Sequence, residues 1–320
     1  MKIRKKSNNS QGHGKKGMQK FIRNFKKNWQ LHLMILFPLV YIILFSYAPM
    51  FGIQIAFRDF SPRGGILGSE WVGLANFQRF FKNYKWSQYV GNTMKISMYS
   101  IFAGFPVPII LALMLHVNEH PVLKKITQNI SYIPHFISVV VMVGILNQLL
   151  DPFSGLWGTI CQAFNVQAPD IMVVPEAFIH LYVWSGVWQN MGWNTIIYLS
   201  ALSAVSPELH EAAKLDGASR FKRVIHVDIP AITPMIALML ILRFGSVMSV
   251  GHEKVYLMQN SLNLKYSEVI STYVYKYGIG KNDLSYGTAV GLMNSIINVS
   301  MLLLVNWIAN KVSDGEAGMF

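Results

Sequence analysis

Six long apolar runs, separated by polar segments, dominate the hydropathy pattern of the chain: residues 31–50, 96–115, 130–150, 177–205, 232–250 and 289–308. Each is close to the roughly 20 residues that a helix needs to cross a bilayer core. The second and sixth contain no charged residue, whereas the fifth is interrupted by Arg243. Several contain Pro or Gly, which membrane helices hold more often than soluble ones. The first run is too long for a signal-peptide core and has no small-residue cleavage pattern behind it, so it reads as an uncleaved helix. The pattern predicts an all-α polytopic membrane protein with six transmembrane helices.

Composition agrees. Of 320 residues, 52% are hydrophobic and only 13% are Asp, Glu, Lys or Arg, about half the roughly 25% charged share of a typical soluble domain. The formal charge is +13, but ten of the 28 basic residues lie in residues 1–30, which hold no acid. Nucleic-acid binders carry their cations on a folded surface patch. Here they form a terminal leader beside an apolar run, which points to a membrane surface and no nucleic acid. One cysteine, Cys161, excludes an intrachain disulfide framework and a multi-cysteine zinc site.

The same cations set the topology. With the N-terminus inside, and leaving aside Lys95 at the edge of the second run and Arg243 within the fifth, the cytoplasmic segments hold 17 Lys and Arg and the outer segments 9, so the positive-inside rule expects both termini in the cytoplasm. Without the leader the balance is 7 against 9, so the leader carries most of this assignment. Phe21, Phe25 and Trp29 recur every four residues among Lys and Arg, a spacing that suits a helix lying in the headgroup layer of the lipid bilayer. The expected organisation is a basic leader over 1–30, a six-helix membrane domain over 31–312 and a short cytoplasmic tail over 313–320.

Two motifs look like chemistry and lack its context. Gly12, Gly14 and Gly17 match GxGxxG, but no strand precedes them, as a dinucleotide site requires. His116, Glu119 and His120 match HxxEH, which on a helix would put two imidazoles on one face. Pro121 follows at once, at the edge of the second run. These three residues are the sole support for an intramembrane enzyme, and no catalytic or metal-binding residues are assigned. Without a GxxxxGK[ST] phosphate loop, the chain is expected to hold no cofactor and to bind no ATP by itself.

Residues 206–230 are more informative. Ser206 suits a helix N-cap and Pro207 the first helical position. Gly217 permits a backbone reversal that a Cβ would resist, and Ser219 suits the cap of a second short helix ending before Pro230. Ala212 and Ala213 offer a small-residue surface, with Glu211 beside it for a cationic partner. From the residues alone, a docking elbow and an ordinary cytoplasmic loop remain equally open.

This segment resembles the EAA loop, EAA-x3-G-x9-I-x-L-P, of membrane subunits in binding-protein-dependent ABC importers. Glu211, Ala212, Ala213, Gly217 and Pro230 match it, with Val227 and Ile229 in place of Ile and Leu. Residues 71–77, WVGLANF, look like the WVGLxNF segment of carbohydrate permeases, and Asn92-Thr93 opens the second run as in that family. The long stretch over 59–71 is similar to the MalF/LplB-like branch associated with complex oligosaccharides. The resemblance implies a type I ABC importer permease fold and a homologous second permease as partner. It also implies two cytoplasmic ATPase subunits that bind ATP-Mg, an extracytoplasmic solute-binding protein and a saccharide substrate. By the same resemblance, Glu211 to Gly217 forms a coupling helix seated in the ATPase. A permease for another solute class, such as peptides, is the alternative within the family.

For the solute path, the fourth run offers Trp184, Trp188 and Asn190. Trp184 and Trp188 share a helical face that would suit the C–H surfaces of a sugar, or equally an aromatic belt at the interface. Arg243 is an intramembrane cation, a functional candidate by default. It would favour acidic sugars such as uronates if it faces a wet cavity, or lock helices together if it does not.

Overall fold

The computed structural model describes residues 27–312, and the chain divides into two compact units, Met1–Gln54 and Ile55–Phe320. The interfacial positions Phe21 and Phe25, the rest of residues 1–26, and the tail over 313–320 lie outside the described residues. In the first unit a helix runs over Trp29–Ile42 and widens into a π-turn at Ile43–Tyr47. None of its side chains is buried, and Phe37 is 80% exposed. A helix apolar on every side needs a nonaqueous solvent, which a bilayer supplies.

The described part of the second unit is mostly helical. Four helical segments of the described chain are long and apolar enough to cross a membrane: Trp29–Phe57, Trp86–Val117, Arg220–Phe244 and Leu284–Lys311. A fifth is reached if one bent pair counts as a span. The helix Ala177–Ser203 has the length, 27 residues, but its Trp, Gln, Asn and Ser positions make it less apolar than those four. It lies at the centre, packed against Trp86–Gly104, Pro106–Val117 and Ile229–Phe244.

The apolar runs are recovered, with two corrections. The third run is a bent pair, in which Pro121–Phe136 meets Val139–Leu150 at 104°. Pro134 starts a tight 3₁₀ turn there, and Ser138 adopts extended backbone to cap the next helix through Val141 N. Hydropathy sums over such a break without registering it. The fifth run is shifted: its helix is continuous over Arg220–Phe244 and has ended before residue 250. Pro230 therefore lies within that helical segment, in the first turn of Ile229–Phe244, where its missing N–H costs little. The short helix that Ser219 caps, Arg220–Arg223, is present but runs on through the π-turn Val224–Asp228 into this helix and does not end before Pro230.

Two family-like motifs acquire a physical reason. Arg58–Asp59 pairs antiparallel with Glu70–Trp71. The Asn76 amide donates to the carbonyls of Ala56 (3.0 Å) and Arg58 (3.1 Å), while Phe57 stacks on Trp71 at 5.5 Å. Gly73, at φ +58°, turns the chain between them in a region that only Gly enters freely. Farther on, the buried Asn92 amide donates to the carbonyls of Lys265 (2.9 Å) and Glu268 (3.0 Å), and Thr93 Oγ1 accepts from Ile270 N at 3.0 Å. Asn92 and Thr93 thus tie a helix interior to an irregular segment whose polar backbone would otherwise be unsatisfied.

Candidate functional site

A cavity of about 270 Å³ lies beside the central helix. The helix Trp86–Gly104 contributes Ser97 and Ser100, the central helix contributes Gln189, Asn190 and Asn194, and the turn after Phe244 contributes Ser246 and Ser249. No Asp or Glu lines it, and two cations do: Arg243 and Lys254. A second cavity of about 290 Å³ shares Gly104, Asn194, Arg243 and Ser246 with the first. Arg243 therefore stands at the boundary between two connected hollows.

Arg243 occupies the last turn of Ile229–Phe244, where the negative end of the helix dipole favours a cation. It forms no ion pair among the described residues, so no carboxylate among them offsets its charge. Lys254 lies on the helix His252–Met258, outside the candidate spans. Its side chain is buried, donates to the Tyr182 carbonyl at 2.9 Å and lies 4.8 Å from the centre of the Tyr182 ring. Burial pulls its pKa down to about 8, because leaving water penalises the charged form.

Of the four residues expected on a solute path, Asn190 and Arg243 reach the cavity and the two tryptophans do not. Trp184 and Trp188 are exposed on the outer surface of the helix; Trp184 Nε1 donates to Tyr99 Oη at 2.8 Å. The shared face inferred from their spacing points away from the hollow. Asn190 is held in place by donating to the Gly186 carbonyl and by a 3.0 Å contact between its Oδ1 and His135 Nδ1, with the His135 ring stacked on Trp193 at 4.5 Å. Lys254 was not anticipated. Its only sequence signal is a lone cation just past an apolar run, which ordinarily reads as wet loop.

The elbow forms as its residues suggest. Ser206 caps the helix Pro207–Leu215 through Glu208 N, and Gly217 reverses the chain at φ +75°. The Gly217 and Ala218 amides donate to the carbonyls of Lys214 and Ala213, and Ser219 accepts from Lys222 N. Glu211 and Ala212 are exposed and Ala213 is half-buried. Leu209, Leu215 and Phe221 are exposed as well, Leu215 at 89%. Three exposed apolar side chains thus stand on an otherwise polar elbow.

The HxxEH residues do not assemble as a catalytic set. The helix ends at Val117, so His120 does not follow His116 around one face. Glu119 pairs with Arg220 at 2.9 Å. His116 turns instead toward His210 and Asp228.

Comparison with known proteins places this geometry. Residues 104–314 match the family model of the binding-protein-dependent transport system inner membrane component. The chain is 41% identical over 290 residues to the polygalacturonan/rhamnogalacturonan transport system permease protein YteP of Bacillus subtilis, covering 91% of this chain and 90% of that one. It is 37% identical over 295 residues to protein LplB of the same organism, covering 92% of each. Among solved structures it superposes with TM-score 0.84 and 30% identity on a chain of the bacterial alginate ABC transporter in complex with alginate pentasaccharide-bound periplasmic protein, covering 92% of this chain and 98% of that one. The helical architecture is accordingly of the type I ABC permease kind. The chain belongs to the binding-protein-dependent transport system inner membrane component family: it is a multi-pass membrane permease subunit of an ABC transporter and not an enzyme.

Proposed function

We propose that this permease imports acidic oligosaccharides, with Arg243 and Lys254 attracting the carboxylates of the solute along its path. The observation that carries the reading is the pair of cations in a polar cavity without an acidic residue. A uronate chain carries one negative charge per sugar, and charge-assisted hydrogen bonds to carboxylate are about twice as strong as neutral ones. Two similar proteins fit this reading by their descriptions, one transporting polygalacturonan and rhamnogalacturonan and the other importing the acidic polysaccharide alginate. The Ser, Asn and Gln side chains around the cations suit sugar hydroxyls.

In this reading the chain crosses the membrane six times with both termini cytoplasmic. The helix Ala177–Ser203 and the bent pair complete the count. A homologous second permease encloses the pathway, an extracytoplasmic binding protein delivers the saccharide, and two ATPase subunits bind ATP-Mg. The elbow carrying Glu211, Ala212, Ala213 and Gly217 docks in the ATPase through its exposed apolar cluster. Pro230 lies within the helical segment that leads from the elbow to Arg243. ATP closure and loaded binding protein then bias one two-state element from opposite sides.

Transport by the reconstituted assembly tests the solute assignment. Uronic oligosaccharides should enter well ahead of neutral ones of equal length, and Arg243→Gln should markedly reduce that preference. An unchanged ratio in the variant would refute it.

A further inference from the structure

We propose that His116, His210 and Asp228 form a binding site for a divalent transition-metal ion such as zinc, at the base of the elbow. The three come from separate elements: the end of Pro106–Val117, the elbow helix Pro207–Leu215, and the π-turn Val224–Asp228. One ligand atom from each lies within 4.8 Å of the others. Asp228 Oδ1 is 3.2 Å from His210 Nε2 and 3.6 Å from His116 Nε2. Zinc bonds of about 2.0–2.1 Å at tetrahedral angles set ligand atoms about 3.3–3.4 Å apart, so these separations bracket what the ion requires.

Two further features distinguish this cluster from an ordinary His–Asp hydrogen bond. Asp228 is 1% exposed, yet its Oδ1 has no hydrogen-bond partner among the described residues, and the same holds for His210 Nε2. Despite the 3.2 Å separation, neither atom is aligned to bond the other. Buried polar atoms left in this way carry a desolvation cost, and an ion at their common focus would satisfy both. They also line a cavity of about 210 Å³ with room for water to complete the coordination.

The rim selects the type of ion. Lys214, Arg220 and Arg223 face the same cavity, and Glu119 neutralises Arg220. With one carboxylate among the three donors, the site is too poor in anionic oxygen for calcium or magnesium. Two imidazoles suit zinc and its neighbours.

An ion here would fasten the elbow to the ends of two other helices. That consequence rests on the coupling reading, whereas the site itself does not. The test uses the full chain in its assembly, purified without a polyhistidine tag, stripped of metal and dialysed against micromolar zinc chloride. One zinc per chain should be retained, and cobalt(II) should give the visible absorption of a tetrahedral site. His116→Gln and His210→Gln should each weaken retention by at least about tenfold while leaving assembly intact. Asp228→Asn should do the same if it folds. Failure to retain zinc, or retention untouched by both histidine substitutions, would overturn the proposal whatever the solute or coupling results.

Discussion

Lys254 donates to the main-chain carbonyl of Tyr182 across 2.9 Å, which holds a buried ammonium against the central helix and beside the cavity that Arg243 also lines. The geometry fixes the cation without neutralising it, because a carbonyl dipole accepts one of the three ammonium N–H groups and leaves the net charge in place.

Arg243 provides the sharper test of that charge. Replacing it with Gln keeps a polar, though shorter, side chain and removes one charge-assisted contact, worth about 1.5–3 kcal/mol. The apparent KM for a uronic oligosaccharide should rise roughly 10- to 100-fold, and that for a neutral one should change little. Uptake kinetics with both solutes check this.

A pH profile separates the two cations. Lys254 has its pKa lowered to about 8, so it is charged below that value and loses its proton as pH rises through it. Affinity for an acidic solute should be full near pH 6.5 and fall between pH 7 and 9. Arg243 stays charged throughout, so the loss is partial. Lys254→Met should flatten the profile and lower affinity at pH 6.5, as measured by uptake across buffers of constant ionic strength.

Gly217 has φ +75°, a conformation that costs an ordinary L-residue about 1–2 kcal/mol. Gly217→Ala should therefore slow transport modestly. Gly217→Pro fixes φ near −65° and removes the N–H that donates to the Lys214 carbonyl. It should abolish solute-stimulated ATP hydrolysis while the chain still reaches the membrane. Membrane immunoblots beside ATPase assays distinguish the two effects.

Asn92→Ala removes both amide donations and leaves the Glu268 carbonyl without the donor it now has. An orphaned buried carbonyl costs about 1–3 kcal/mol, so the melting temperature of the purified assembly should drop by several degrees, read by thermal shift. Solute preference should be unaltered, because Asn92 does not line the cavity.

Hydropathy located the apolar runs because burial in lipid demands apolar side chains over a fixed length, and it says nothing about where a helix breaks. The bend at Ile137 and Ser138 and the early end at Phe244 depend on a few backbone angles that leave the average unchanged. The elbow was readable because Ser206, Pro207 and Gly217 act locally. Arg243 stood out as a charge among apolar neighbours. Lys254 did not, because its burial comes from the chain folding back onto Tyr182. The pairing of Trp184 with Trp188 was correct as a shared face, but spacing carries no information on which face turns inward. His116, His210 and Asp228 meet only through tertiary structure.

The proposed preference for acidic saccharides rests on two cations, Arg243 and Lys254. Its most direct measurement is ATP hydrolysis by the reconstituted complex with its binding protein, across matched uronic and neutral oligosaccharides. Stimulation by the uronic series, reduced toward the neutral level in Arg243→Gln, is the expected result. Equal stimulation by both series, or a preference for uronic solutes that survives loss of both Arg243 and Lys254, would contradict it.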